Sequence, residues 1–311
     1  MRFLALPTCP ACGSRELVGF TLGESGDLQR CAACATVSAP RYVDPSEVYV
    51  DGYMFGQVGR FGLDVRPPSF QAYLRRVTAR RVRIVERATR ARRPGDWLDV
   101  GAGTGELLAG ARERGWRVQG VEPERTAAAA SRARGLAVAQ AELEAAGLPE
   151  RSFDVVSAFH VLEHIPDSRA FLRSLARWVR PGGHVVIEVP NFAAYQRGRL
   201  GPLWPGLRPG EHLVHFTPRT LAATVRAAGL SPVAVRSPVY VGPPQDLAQA
   251  LWDLGRPAGR LGRALAPLSP APTAGAARVP GAVAWGVLRG FDRFYDAAGI
   301  GAVVLCVARA P

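Results

Sequence analysis

Four cysteines near the start of the chain carry the most specific chemistry in the sequence. They fall as Cys9-Pro-Ala-Cys12 and Cys31-Ala-Ala-Cys34, eighteen residues apart. Two such knuckles joined by a hairpin-length stretch can set four thiolates at the corners of a tetrahedron, the donor set of a structural zinc ion. Four thiolates leave no coordination position for water, so this predicts a structural or docking role. A redox pair is the competing reading, and no strand-helix-strand pattern surrounds the cysteines to favour it. A second run, Asp99-Val100-Gly101-Ala102-Gly103-Thr104-Gly105, has glycines where a backbone must approach a ligand closely. Glu122 follows at the end of the next apolar stretch, where a carboxylate can accept hydrogen bonds from both ribose hydroxyls. That pair of features points to an adenosine-containing ligand without deciding which one. His160, Glu163, His164, His212 and His215 are the candidates for proton transfer.

These residues need elements to hold them. Leu17–Phe20 and Asp27–Arg30 read as short strands around a Gly-Glu-Ser-Gly turn, making the first forty residues a small hairpin unit. So small a unit cannot bury enough apolar surface alone, and metal binding would supply its folding energy. Residues 41–68 form a glycine- and aromatic-rich linker containing Tyr49, Tyr53, Phe55 and Phe61, read either as a lid or as packing between two lobes. From residue 69 helical and strand patterns alternate, which predicts a doubly wound parallel sheet in an α/β domain. Phe70–Arg93 is helical, Trp97–Val100 is the first strand, and Leu107–Arg114 the helix after the glycines. Trp116–Val121, Leu136–Ala139 and a strand ending at Phe159 and His160 come next. A strand over about Ser231–Val241 follows, and Gly301–Arg309 is the last. Between those two lies an insertion over residues 242–300, with apolar helices near Leu247–Leu254 and Val283–Tyr295 and a Pro/Ala-rich stretch between them. The insertion could cover a substrate, form an oligomer contact or lie on a membrane surface.

The chain has 311 residues, 48% of them hydrophobic, and a formal charge of +13. It has material for a sizeable core and lacks the profile of a disordered chain. There is neither a bilayer-length apolar run nor a secretory signal, so a cytoplasmic protein is expected. All the basic residues are arginine, a bias that also accompanies a GC-rich genome. Nine arginines between Arg75 and Arg93 could bind phosphates, or simply solvate a helix whose Val77, Ile84 and Val85 face inward. The solvated face is the preferred reading.

Taken together, Asp99–Gly105, Phe153–His164 and Arg180-Pro-Gly-Gly-His-Val-Val-Ile-Glu-Val-Pro-Asn191 resemble the motifs of class I S-adenosylmethionine-dependent methyltransferases, in the branch that includes ubiquinone biosynthesis. The resemblance covers about Phe70–Leu230 and the last strand. It implies a Rossmann-like seven-stranded sheet whose final strand runs antiparallel. It also implies that Asp99, Gly101, Ala102, Gly103 and Gly105 surround the methionine part of the cofactor and that Glu122 holds the ribose. Glu142 and Leu143 would stand at the adenine, where many members have an aspartate. Phe159 and His160 would lie near the sulfonium.

The expected architecture is a zinc ribbon over residues 1–40, a linker or flap over 41–68, and a methyltransferase domain over 69–311. The expected reaction is O- or C-methylation of a small hydroxylated or sugar-like acceptor, with His160, His212 or His215 handling a proton where one must leave. The alternatives are an RNA methyltransferase gripping phosphates through the ribbon and the arginine helix, and a non-catalytic binding module. His160-Val-Leu-Glu-His164 also spells an inverted zinc-protease signature, which would need a continuous helix. An apolar strand leading into His160 and the nearby Pro166 argue against it. The acceptor's identity and the oligomeric state have no sequence signal.

Overall fold

The computed structural model describes residues 1–22, 27–58, 64–90, 94–240, 290 and 292–311. The Gly-Glu-Ser-Gly turn, Phe61 and nearly all of the 242–300 insertion, including its helix near Leu247–Leu254, lie outside the described residues.

The chain begins with β1 (Phe3–Ala5), β2 (Leu17–Thr21), β3 (Asp27–Cys31), β4 (Val37–Ser38) and β5 (Arg41–Val43), then the short helix α1 (Pro45–Val48). β2 and β3 pair antiparallel with Leu17 opposite Cys31, so the expected hairpin is present. Its sheet does not stop at residue 40. β4 pairs with β11 (Val214–His215), a strand more than 170 positions further along the chain, giving the order β11-β4-β3-β2. Leu6, Cys9, Ala11, Cys31 and Tyr42 join the same apolar cluster as the central strands. The amide of Ser168 also donates to the Pro10 carbonyl at 3.1 Å. A forty-residue unit with little apolar surface of its own thus borrows a core and a strand from the larger domain.

Helix α2 (Pro68–Thr89) starts with proline in its first turn, where the missing N–H is not needed. It ends at Arg90, in a left-handed conformation at φ 52°. Val77, Thr78, Val82 and Val85 are buried, and Ile84 is half-buried.

The larger sheet contains β6 (Asp96–Val100), β7 (Arg117–Val121), β8 (Ala137–Ala139), β9 (Phe153–Phe159), β10 (Val179–Pro190), β12 (Ser231–Arg236) and β13 (Val303–Arg309). Its order is β12-β13-β10-β9-β6-β7-β8. β13 runs antiparallel to both β10 and β12, and the remaining pairs are parallel, as the resemblance implies. The crossovers are α3 (Glu106–Glu113), α4 (Arg125–Ala133) and α5 (Ser168–Trp178). Helix α6 (Tyr195–Leu200) and helix α7 (Pro218–Ala227) follow β10. Central strands are buried on both faces and therefore read as continuous apolar runs; Val155, Val156, Val186, Ile187 and Leu305 are at most 1% exposed.

The chain reverses from β6 to β9 at the centre of this sheet, leaving a crevice at the carboxyl ends of both strands, where ligands bind in open α/β folds. No helix among the described residues is long and apolar enough to cross a membrane.

Candidate functional site

The glycine-rich turn after β6 explains its own composition. Gly101, Gly103 and Gly105 have φ of 73°, 53° and 81°, a region that only glycine enters without strain. A Cβ on Gly101 would come within 2.5 Å of a Val161 methyl. The amides of Gly101 and Ala102 donate to the Val121 carbonyl at 2.9 and 3.1 Å, fastening the turn to the end of β7.

The Gly103 amide donates to Glu122 Oε2 at 2.8 Å, and the Glu124 amide to Glu122 Oε1 at 2.9 Å. Glu122 is nearly buried, and desolvation raises its pKa against those two bonds. Asp99, under the same turn, accepts from Ser157 Oγ at 2.6 Å. Burial pushes it up to about 7, outweighing that bond and the charge of Arg81. Leu143 is buried at the end of the third-strand loop, and Glu142 beside it is exposed.

The segment after α1 lies over this turn. The Met54 methyl would stand 3.4 Å from a Cβ on Gly103. The Gly52 amide donates to Glu124 Oε1 and Thr126 Oγ1 at 3.3 and 3.1 Å, and Asp51 pairs with Arg125. A cleft of about 520 Å³ opens between the two, lined by Tyr49, Asp51, Pro123, Glu124, Arg125 and Gln140. Residues 51 and 52 are thereby tied to the loop after β7 and the start of α4.

The other half of the crevice is built from residues far apart in sequence. His160, one step past β9, has φ 57° and donates its amide to the Glu188 carbonyl at 2.8 Å. Its Nδ1 is 3.2 Å from Glu163 Oε1 and its Nε2 is 3.3 Å from Glu188 Oε1. Burial alone would lower the imidazole pKa, but the two carboxylates push it up to about 9. Its side chain is 40% exposed, open to the crevice. Glu188, wholly buried in β10, also accepts from Arg81 Nε at 2.9 Å and from the Tyr240 hydroxyl. Burial opposes its charge, yet Arg81 and His160 hold it down at about 2. The Arg81 guanidinium stacks 5.0 Å over the Phe159 ring. Arg81 is thus spent inside the site, and Arg80 on Asp292, rather than offered to phosphates. His160 stands where a strand has ended and the short turn Leu162–His164 begins, so no continuous helix joins His160 to His164.

The other histidines separate. His164 Nδ1 lies 2.9 Å from the Glu211 carbonyl, and His212 Nδ1 lies 2.9 Å from the Gly206 carbonyl. Their rings meet edge to face at 4.7 Å, with Tyr49 5.6 Å from His164 on another side. Burial lowers both pKa values, that of His212 the further. His215, in β11, stacks on Phe192 at 5.2 Å, and burial takes it down to about 4.

Glu188, Arg81 and Tyr240 were not read from the sequence as members of this site. One local signal existed for the first: a carboxylate in the middle of Val185-Val-Ile-Glu-Val189 has to find a buried cation.

The four cysteines converge. Cys9 Sγ is 3.5 Å from Cys34 Sγ, and Cys12 Sγ is 3.5 Å from Cys31 Sγ, with all four sulfurs within 4.8 Å of one another. Gly13 at φ 78° turns its amide onto the Cys9 carbonyl. Burial raises the Cys9 and Cys12 thiols, whereas backbone amides and neighbouring thiols bring Cys31 down to about 7 against its own burial. Cys306 is buried in β13 and is not part of this cluster.

A family model described as a methyltransferase domain matches residues 70–235. A ubiquinone biosynthesis O-methyltransferase of Ralstonia nicotianae is 35% identical over 156 residues, 46% of this chain and 66% of that one. A protein of the same name from Cupriavidus pinatubonensis is 33% identical over 46% of this chain and 63% of its own. The chain therefore spans just under two thirds of the length of these curated relatives. A solved methyltransferase of Archaeoglobus fulgidus aligns with 76% of this chain and 94% of its own at 18% identity and a TM-score of 0.47.

Proposed function

This chain belongs to the methyltransferase domain family, and we propose that it moves a methyl group from S-adenosylmethionine to the oxygen of a small hydroxylated acceptor. The observation that carries this is the left-handed glycine turn whose Gly103 amide is tied to Glu122. That turn, whose Gly101 has no room for a Cβ beside Val161, suits the methionine and ribose parts of the cofactor. Asp99, Gly101, Ala102, Gly103 and Gly105 surround the methionine part in this reading, Glu122 takes the ribose hydroxyls, and Glu142 and Leu143 flank the adenine. Phe159 and His160 stand beside the sulfonium. The bound cofactor supplies an electrophilic methyl carbon. The names of the relatives in ubiquinone biosynthesis support oxygen as the acceptor atom.

In-line displacement depends chiefly on positioning, and the residues of this chain supply it. Asp99, the glycine turn and Glu122 would hold that methyl donor, and Phe159 and His160 would keep its methyl group in line with the acceptor oxygen. The acceptor's proton must also depart. His160 is an imidazolium between Glu163 and Glu188 and orients the crevice instead of taking that proton. His215 is committed to Phe192, which leaves Glu163, His164 and His212 as the groups beside which the acceptor's proton departs.

Residues 1–40 act as a ribbon whose Cys9, Cys12, Cys31 and Cys34 hold a structural zinc ion, 41–68 as the flap, and 69–311 as the transferase domain with its 242–300 insertion. Four cysteines gathered as metal ligands suit a reducing compartment, the cytoplasm.

The test is incubation with methyl-labelled S-adenosylmethionine and an extract, followed by separation of RNA, protein and small molecules. Label in a small molecule, at oxygen, is expected. Label in RNA alone would overturn the acceptor class, and failure to bind the cofactor at millimolar concentration would overturn the activity.

A further inference from the structure

Glu163, His164 and His212 each bring one ligand atom to within 4.8 Å of the other two. We propose that these three side chains hold a divalent transition-metal ion of the zinc class, whose open position takes the acceptor's oxygen. The metal's role in transfer rests on the methyltransferase reading; the site itself does not.

Three observations carry it. The first is the direction of the imidazoles. Each Nδ1 faces a backbone carbonyl, Glu211 for His164 and Gly206 for His212, both at 2.9 Å. A carbonyl only accepts, so each Nδ1 keeps its hydrogen and each Nε2 keeps a lone pair. Ligating histidines are oriented in the same way, with the second nitrogen donating to a carbonyl or carboxylate.

The second is Glu163. It is 1% exposed, its Oε1 is turned to His160, and its Oε2 is buried without a partner among the described residues. A buried carboxylate oxygen with nothing to accept from is costly and calls for a cation or a donor.

The third is the frame. Glu163 and His164 are adjacent on one tight turn, and His212 arrives from the loop that becomes β11. The Leu213 amide donates to the Glu163 carbonyl at 2.7 Å, and the Ala39 amide to the Leu213 carbonyl at 2.8 Å. The ligands are therefore pinned by backbone bonds to each other and to the ribbon. Donors around a tetrahedral zinc ion stand about 3.3–3.6 Å apart, so side-chain rotation alone closes a 4.8 Å cluster onto one.

Arg208 is paired with Glu211 at 3.0 Å, and Glu163 Oε2 accepts no hydrogen bond from it. Two imidazoles with one carboxylate favour a borderline ion; magnesium and calcium prefer oxygen donors throughout. Three protein ligands leave a position open, which the four-thiolate cluster does not. A cation there acidifies a bound hydroxyl, so the acceptor's proton can pass to water before oxygen attacks the methyl carbon.

The full chain, first loaded with zinc at its cysteines, is titrated with cobalt(II) while visible absorption and metal content are followed. Two ions per chain are expected, the second with weak nitrogen/oxygen-type bands and no thiolate charge transfer. His212→Gln and Glu163→Gln should each weaken that second ion by at least about tenfold, while the thiolate zinc and S-adenosylmethionine affinity stay as in the parent. One ion per chain, or unchanged cobalt affinity in both variants, overturns the site. Loss of cofactor affinity in the parent with the second ion retained would sink the transferase reading and leave the metal site standing.

Discussion

The two halves of the crevice are built on different principles. The half proposed for the cofactor uses residues between Asp99 and Leu143, placed by one strand-turn-helix unit and the strand beside it. The half proposed for the acceptor draws on Arg81, Glu163, Glu188, His212 and Tyr240, which meet only after the sheet and the ribbon have formed. The first is held by backbone amides and glycine dihedrals. The second is held by buried charges that satisfy one another. A site of the first kind is local and robust to distant change; a site of the second kind depends on every element that delivers a charge.

The largest effect should come from Arg81→Met, which leaves Glu188 buried with one fewer cation. Breaking one side of such a buried pair costs about 3–5 kcal/mol, so denaturant midpoints should fall sharply. A loss below 1 kcal/mol would mean that the acceptor half does not rest on this charge network.

Cys31→Ser sharpens the contrast next. It should release zinc and loosen the ribbon, and the loosening should travel through the β4–β11 pair to His212. Turnover should drop roughly a hundredfold through misplacement, with cofactor affinity little changed. Full zinc retention would contradict the ligand set, and an equal loss of cofactor affinity would erase the distinction between the halves.

The converse test is Glu122→Ala, expected to weaken cofactor binding by more than about tenfold, or 1.4 kcal/mol, with zinc content untouched. An unchanged affinity removes Glu122 from the site.

Taken per pH unit, the smallest effect is the titration of Asp99. Asp99 is raised from 3.8 to about 7 in the folded chain, so between those values the folded state keeps a proton that the unfolded state has released. Stability should fall as pH rises through that window, by less than about 1.4 kcal/mol per unit. Asp99→Asn should flatten that slope; an identical slope in the variant would show that Asp99 is not the titrating group.

Much of the cofactor half could be read in advance, because motif order, glycine spacing and strand periodicity are short-range signals. The turn at Gly101–Gly105, the carboxylate at Glu122 and the antiparallel last strand all stand where they were expected. The histidines show where such reading ends. His212 and His215 sit two residues apart in one motif, yet one joins His164 and the other stacks on Phe192. Nothing in their spacing separates them, since their environments come from residues 164 and 192. Glu188 announced itself only as a carboxylate in an apolar strand, without naming Arg81, His160 and Tyr240 as its partners.

By itself the sequence determined the doubly wound fold, the glycine cradle and the pairing of cysteine knuckles, because each follows from backbone preference and hydrophobic period over a few residues. Tertiary structure alone decided that the ribbon shares a sheet with residues 214–215, that Glu163 and Glu188 flank His160, and that Glu163, His164 and His212 converge. Those outcomes depend on burial and on charges brought together across the chain, and desolvation acts only once the surrounding elements have packed.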